Sequence, residues 1–388
     1  MRPSPPNRWG RWGVRARILA GKNVLAFRLH GRRRLSRAGS KLAIFKPDRL
    51  GDFTLALGAI RWILQEMGES ECVLFISSHA SELAKREFPN VARVVVVPFA
   101  DELWPAWRAF RNQPRDPWWE HPYDLALSLR HQRTSWQELL FSRLNCRQRW
   151  AMTNRAMGIH PIEERWISTS LSHEVSLSST SGKPGCLELE AHRQLLEAAF
   201  DTHISAEDLI PRLAPPVGVH HHDSLLLCPF GSSSLRTLPT SVIIAAIKEF
   251  RQHRPLSLRL AAAPAEQARY QAYADELVAG GLPRPLVVST PTIDSLLAEM
   301  AGCRIVLSTE SAPAHLAVAL DRPAVILLGG GHHGLFAPWH RSRRQVWLDH
   351  PLDCYNCDWQ CPYPEPYCLT KIASSAAARA LLDVMALG

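Results

Sequence analysis

Residues 304 to 328 run strand, polar turn, helix, strand, and no other stretch constrains the fold as much. Arg304 to Leu307 is an apolar run ready for burial. Ser308-Thr309-Glu310-Ser311-Ala312-Pro313-Ala314-His315 follows and opens a helix, and Ala324 to Leu328 is apolar again. Such a unit places the helix N-terminus at the carboxyl edge of a parallel sheet. Free N–H groups and partial positive charge there suit a phosphate. Alone, the unit fits any nucleotide-binding fold. A partner lies far upstream: Phe45-Lys46-Pro47-Asp48-Arg49-Leu50-Gly51-Asp52 also follows a strand and opens a helix.

The same alternation extends along most of the chain. Leu42 to Phe45, Val73 to Ile76, Val94 to Val97, Asp124 to Leu129 and Arg149 to Met152 read as strands. Phe53 to Met67 reads as a helix, with Leu57, Ile60, Ile63 and Leu64 on one face. Residues 161 to 185 are Ser- and Thr-rich and read as loop, followed by a helix over Leu187 to Phe200. Prolines and a glycine between 211 and 223 read as a linker. The pattern then restarts. Leu225 to Cys228, Leu256 to Leu260, Leu286 to Val288, Arg304 to Leu307 and Ala324 to Leu328 are strands, with helices at Ser241 to Phe250 and Ile293 to Ala301. The expectation is an α/β chain of two Rossmann-like domains, 41–210 and 224–388, facing a central cleft.

With 388 residues and 46% hydrophobic content, the chain has ample material for two cores. No apolar run reaches the roughly 18 residues that span a bilayer. No signal-peptide pattern opens the chain, so export is not expected. The net charge of +9 is uneven. Residues 1–41 hold 12 Lys and Arg and no acid, leaving 33 basic residues against 36 acidic ones elsewhere. Trp9, Trp12, Ile18, Leu19 and Phe27 are interleaved with those charges. Segment 1–40 thus reads as an anchor on an anionic membrane surface. A solvated tail is the plainer alternative, and no nucleic-acid partner is expected.

Several positions can carry chemistry. Asp52 follows a strand and Gly51, and a carboxylate there is either a general base or a helix-start acid paired with Arg49. Gly231, Ser232, Ser233 and Arg236 form either a diphosphate cradle or a capped helix start before Pro239. Glu310, Ser311, Ala312 and His315 open the helix described first. Arg130 and Arg133 follow a strand end, and either bind an anionic acceptor or sit in a solvated loop. The Trp-rich stretch from Trp104 to Trp119 is an acceptor or membrane lip, or the cap of a domain edge. His220 to His222 read as loop. Cys354, Cys357, Cys361 and Cys368 can hold zinc or an iron–sulfur cluster, or stay reduced thiols; a metal there would be structural zinc.

Three motifs in this order resemble glycosyltransferase family 9, the lipopolysaccharide heptosyltransferases. They are Arg49-Leu50-Gly51-Asp52 after the first strand, Gly231-Ser232-Ser233 with Arg236 two residues before Leu238-Pro239, and Glu310-Ser311-x-x-x-His315 ahead of Leu316-Ala317-x-Ala319-Leu320-x-x-Pro323. The four-cysteine segment 354–368, followed by Leu369-Thr370-Lys371-Ile372, also occurs in part of that family. The resemblance spans roughly residues 41 to 375.

The resemblance implies a GT-B arrangement: an acceptor-side domain carrying the base, and a donor-side domain binding the nucleotide sugar. It implies inverting transfer without a catalytic metal, from a nucleotide-sugar donor (ADP-heptose by default) to a lipopolysaccharide-core or other glycolipid acceptor. Asp52 matches the family's base. Arg236 stands at its phosphate-binding lysine and Glu310 at its donor-binding aspartate. Gly231, Ser232, Ser233, Ser311, Ala312 and His315 complete the expected donor site, and Arg49, Arg130 and Arg133 the acceptor site. Such an enzyme would be cytoplasmic and peripheral on the inner face of the cytoplasmic membrane. Arg for Lys, Glu for Asp, Ala312 for Gly and Leu238 for Trp depart from the family pattern and leave the donor sugar open. An epimerase-like nucleotide-sugar enzyme and a non-catalytic scaffold are the alternatives.

Overall fold

The computed structural model describes residues 41–98, 116–131, 133–152, 171–177, 186–339 and 342–387. The basic segment 1–40 and the tryptophans at 104 and 107 lie outside the described residues.

The first sheet holds β1 (Leu42–Lys46), β2 (Cys72–Ser77), β3 (Arg93–Val97), β4 (Tyr123–Ser128), β5 (Cys146–Met152) and β6 (His173–Val175). Their order is β3-β2-β1-β4-β5-β6, all parallel. β1 and β2 are buried at every position, whereas the edge strands β3 and β6 are partly exposed. That is the burial pattern of a parallel sheet covered on both faces. Its core includes Phe45, Phe75, Tyr123 and Phe141. Trp119 is buried there as well, its ring centroid 4.9 Å from that of Phe75. The helices up to residue 200 are α1 (Leu50–Leu55), α2 (Leu57–Met67), α3 (Ser81–Glu87), α4 (Ser135–Phe141) and α5 (Glu188–Phe200).

The second sheet holds β7 (Ser224–Cys228), β8 (Ser257–Ala262), β9 (Leu286–Ser289), β10 (Ile305–Thr309), β11 (Ala324–Leu327) and β12 (Gln345–Leu348). They run parallel in the order β12-β11-β10-β7-β8-β9. Its helices are α6 (Thr240–His253), α7 (Gln267–Ala279), α8 (Ile293–Gly302), α9 (Ala312–Ala319), α10 (Tyr367–Thr370) and α11 (Ser374–Ala386). The apolar faces of α6, α7 and α11 bury Ile247, Leu277 and Leu381 against this sheet. The fold is thus α/β with two parallel six-stranded sheets.

Three expectations are corrected. The helix read over Phe53 to Met67 starts at Leu50 and is interrupted at Ala56, whose N–H reaches back only to Phe53 O and Thr54 O. The segment read as loop over 161–185 contains β6, which pairs Trp150 with His173. β12 and α11 extend the second half beyond the elements read from its sequence.

The chain divides into two compact units that are discontinuous in sequence. One takes the residues up to Asp48, Ile60–Ser179 and Ala191–Ile204; the other takes Arg49–Ala59, Thr180–Glu190 and Ser205 to the end. Residues 211–223 lie in the second unit, where Leu213 is buried and its N–H donates to Ala319 O. Among the described residues no helix is long and apolar enough to cross a membrane.

Candidate active site

In the second unit, β7 ends at Cys228 and the chain turns through Gly231, Ser232 and Ser233. Gly231 N–H donates to Arg236 O, closing the turn at 3.0 Å. A Cβ on Gly231 would sit 2.6 Å from Arg236 Cβ, so glycine is what lets the loop fold onto the arginine. Ser233 Oγ accepts from Leu235 N–H at 3.3 Å and caps a 3₁₀ turn over Ser234–Arg236.

That turn aims Arg236 at the end of β10. Its Nε and Nη2 donate to Glu310 O at 3.2 and 2.6 Å. Nη2 also donates to Glu310 Oε2 at 2.8 Å, and Nη1 to Ser232 Oγ at 3.2 Å. The Trp359 ring centroid lies 5.4 Å from the guanidinium carbon, within cation–π range.

Glu310 is buried on the next residue after β10. Burial pushes its carboxyl up, but Arg236, His315 and His332 together outweigh that effect and bring it down to about 2. The other carboxylate oxygen, Oε1, faces His315 Nε2 at 3.5 Å. Trp339 Nε1–H donates to His315 Nδ1 at 3.0 Å. An indole N–H can only donate, so Nδ1 accepts and the ring proton sits on Nε2, towards Glu310. Ser311, the N-cap of α9, donates from Oγ to Thr309 O at 3.1 Å. Pro313 has no N–H, and the Ala314 and His315 N–H groups donate to Ser311 O, so Ala312 supplies the helix-start N–H near the Arg236–Glu310 pair.

α1 belongs to this same unit and lies against α9. A Cβ on Gly51 would fall 3.2 Å from both Ala312 Cα and His315 Cδ2. The missing side chain lets the two helix starts approach closely. Asp52, next in sequence, is half-buried in the first turn of α1. Arg49 caps that helix and is exposed. Asp52 and Arg49 thus share a unit with Gly231, Ser232, Ser233, Arg236, Glu310, Ser311, Ala312 and His315.

Arg130 and Arg133 lie in the first unit and are both buried. Arg130 Nη1 pairs with Asp48 Oδ1 at 2.8 Å, and Lys46 Nζ with Asp48 Oδ2 at 2.8 Å. Burial raises the Asp48 carboxyl, but Arg130 and Lys46 together bring it below its ordinary value. Gln137 Nε2 donates to Pro47 O at 3.1 Å and Ser77 Oγ donates to Asp48 O, so the loop ahead of α1 is pinned on several sides. Arg133 bonds Glu138 Oε2 at 3.0 Å and Glu174 Oε1 at 2.9 Å. Both guanidiniums are committed to internal carboxylates. Sequence reasoning missed Lys46, Asp48 and His192 as members of a buried charge network. Burial, then Lys46, pushes His192 down to about 3, and its Nε2 lies 2.9 Å from Leu129 O.

Among the described residues no group of three or more His, Cys, Asp or Glu side chains is gathered to hold a metal. The four-cysteine segment 354–368 lies among those residues. Burial, and then the thiols of Cys354, Cys361 and Cys368, push the Cys357 thiol up. The segment covers the loop after β11. A Cβ on Gly329 or Gly331 would meet the Trp359 ring at 2.2 and 2.4 Å, and one on Gly330 would meet Tyr355 at 2.4 Å. Asn356 N–H donates to Gly330 O at 2.8 Å, and His332 Nε2 lies 2.7 Å from Asp358 Oδ1. This docking sets Trp359 beside Arg236.

The family model described as glycosyltransferase family 9 (heptosyltransferase) matches residues 244–364, which include Glu310, Ser311 and His315. Over those residues the chain resembles glycosyltransferase family 9. The chain is similar in fold to E. coli heptosyltransferase WaaC with ADP-2-deoxy-2-fluoro heptose, at 17% identity and a TM-score of 0.61 over 88% of this chain and 99% of that one. It is similar to E. coli ADP-heptose lps heptosyltransferase II, at 15% identity and 0.61 over 89% and 99%. A glycosyl transferase family 9 structure from Veillonella parvula matches at 13% identity and 0.64 over 92% and 100%. No curated protein matches the sequence. The two parallel sheets are shared in fold with these structures. Its matched segment excludes Asp52 and Gly231 to Arg236, whose placement rests on the geometry above.

Proposed function

We propose that this glycosyltransferase moves a sugar, with heptose as the default, from an ADP-linked donor to a lipopolysaccharide-core or related glycolipid acceptor, with inversion at the anomeric carbon. The observation that carries the reading is Arg236, held by Glu310 and Ser232 beside the N-terminus of α9. Diphosphate placed there meets a fixed guanidinium, the Ser232 and Ser233 hydroxyls and the positive end of a helix at Ala312. The neighbouring WaaC structure carries an ADP-linked heptose analogue, which fits that chemistry.

The acceptor hydroxyl must lose a proton as it attacks the anomeric carbon. Asp52 takes it in this proposal, and backside attack inverts the centre. The leaving ADP gains negative charge, which Arg236, Ser232, Ser233 and the start of α9 stabilise without a metal. A carboxylate offers about four lone-pair sites. Arg236 and His315 use two on Glu310, leaving capacity to accept from sugar hydroxyls. Ala312 adds only backbone N–H, and Gly231 lets the cradle close. Exposed Arg49 is the acceptor-facing cation. Arg130 and Arg133 serve the acceptor side indirectly, by holding the loop ahead of α1 and the end of β5. The basic segment 1–40 would bring the enzyme to an anionic membrane surface, where a glycolipid acceptor resides.

A thermal-shift comparison across nucleotide sugars tests the donor assignment. ADP-heptose is expected to raise the melting temperature more than UDP- or GDP-hexoses do, and Arg236→Ala is expected to abolish that rise. A larger rise with another nucleotide sugar would overturn the donor assignment.

A further inference from the structure

The opposite edge of the second sheet carries a constellation that the transfer reaction does not use. All six strands run parallel, so the residues preceding them share one edge. Within three residues ahead of the strand starts, following the order from β12 through β11, β10 and β7 to β8, stand Arg344, Arg322, Arg304, Asp223 and Arg254. Neighbouring strands are roughly 4.8 Å apart. The strand starts therefore hold a file of arginines interrupted by one carboxylate.

These five residues line a cavity of about 860 Å³, together with His221 and His222. Asp223 Oδ1 takes Arg304 Nε at 2.7 Å. Arg322 Nη2 donates to Cys303 O at 2.5 Å, and Arg344 Nη1 stands 4.0 Å from Asp321 Oδ2. The Nε atoms of Arg322 and Arg344 are buried without a hydrogen-bond partner among the described residues. Burial pushes the Arg322 guanidinium down, and Arg344 and Arg304 push it further, against Asp321. Like charges so placed, with donors unmet, destabilise the empty site. An anion would relieve both effects. Guanidinium forks match phosphate oxygens in geometry and charge. The volume lies in the range of small-molecule sites. Among the described residues no Phe, Tyr or Trp lines it.

We propose that this cavity binds a small phosphate-bearing anion, at the amino-terminal edge of the sheet, away from the donor-binding turn. The site is independent of Arg236, which follows the carboxyl end of β7.

Inorganic pyrophosphate is the first probe, titrated calorimetrically into the full chain in wild-type, Arg236→Ala and Arg254→Gln/Arg344→Gln forms. Binding is expected to survive Arg236→Ala and to weaken at least about tenfold in the double variant, the effect of losing a charge-assisted hydrogen bond. Binding abolished by Arg236→Ala, or unchanged in the double variant, would overturn the proposal. Phenylglyoxal footprinting of the wild-type chain checks the site without mutation. Pyrophosphate is expected to protect Arg254, Arg322 and Arg344, and absence of protection would also overturn it. Phosphatidylglycerol and phosphatidylcholine vesicles form the second arm. Protection by phosphatidylglycerol vesicles alone among them assigns the phosphate to a lipid headgroup; protection by pyrophosphate only assigns it to a soluble anion.

Discussion

Arg236 Nη2 lies 2.6 Å from the backbone oxygen of Glu310 and 2.8 Å from its carboxylate, joining two residues 74 positions apart. One guanidinium thereby holds both the path of the chain entering α9 and the buried Glu310 carboxylate.

Removing that guanidinium leaves Glu310 buried and uncompensated. Losing one partner of a buried pair costs about 3–5 kcal/mol. Arg236→Ala is therefore expected to lower the melting temperature, and Arg236→Ala/Glu310→Gln to recover part of the loss. Donor affinity should fall in both by roughly 1.5–3 kcal/mol, since each lacks the phosphate contact. Calorimetry with ADP-heptose and thermal melts measure the two effects separately. The Glu310 carboxyl sits at about 2 in the folded chain against its ordinary 4.5. Its contribution to stability is present above pH 4.5 and is lost as pH falls towards 2.

Asp52→Asn keeps size and hydrogen bonding but removes the proton acceptor. General-base catalysis contributes about 10²- to 10⁴-fold, so kcat should fall by that order while donor affinity changes little. Steady-state kinetics beside a donor isotherm read the split. A fall in donor affinity with kcat preserved would move Asp52 out of the base role.

His192 gives a stability signature at milder pH. It is held at about 3 in the fold against an ordinary 6.5, because burial and Lys46 disfavour its charged form. The unfolded chain takes up that proton first. The contribution is thus present above pH 6.5 and is lost as pH falls towards 3, with a slope approaching 1.4 kcal/mol per pH unit, roughly one proton's worth. Denaturant melts of His192→Gln between pH 7 and 4.5 should show a shallower decline than wild type. Parallel curves would contradict the buried neutral histidine.

The sequence made the β10–α9–β11 unit legible because both strands are central and buried on two faces, which leaves unbroken apolar runs around a polar turn. β6 escaped notice because it is three residues at an edge, with His173, Glu174 and Val175 all partly exposed. The Lys46–Asp48–Arg130 network was illegible for a different reason. Lys46 and Asp48 stand two residues apart, but Arg130 comes from a distant segment, and each charge alone reads as surface; only folding brings all three together in the interior. Arg130 looked like a ligand-facing cation for that reason. The place of α1 beside α9 also had one local trace, Gly51, whose missing Cβ the close approach requires.

The 12 basic residues in positions 1–41, without one acid, lead to a membrane experiment. Deleting residues 1–38 should abolish sedimentation with phosphatidylglycerol vesicles and leave the melting temperature of the remainder intact. Salt should weaken wild-type binding, because the Debye length shortens to about 3 Å at 1 M. Vesicle binding that survives the deletion would contradict the anchor.

The most direct test is transfer itself. The purified full-length chain is incubated with ADP-heptose and a heptose-accepting lipopolysaccharide core. The products are read by mass spectrometry and NMR. One heptosyl unit should be added to the acceptor for each ADP released, with the anomeric configuration opposite to that of the donor, and Asp52→Asn should suppress both. ADP release without acceptor gain, or a product retaining the donor configuration, would contradict an inverting glycosyltransferase with Asp52 as its base.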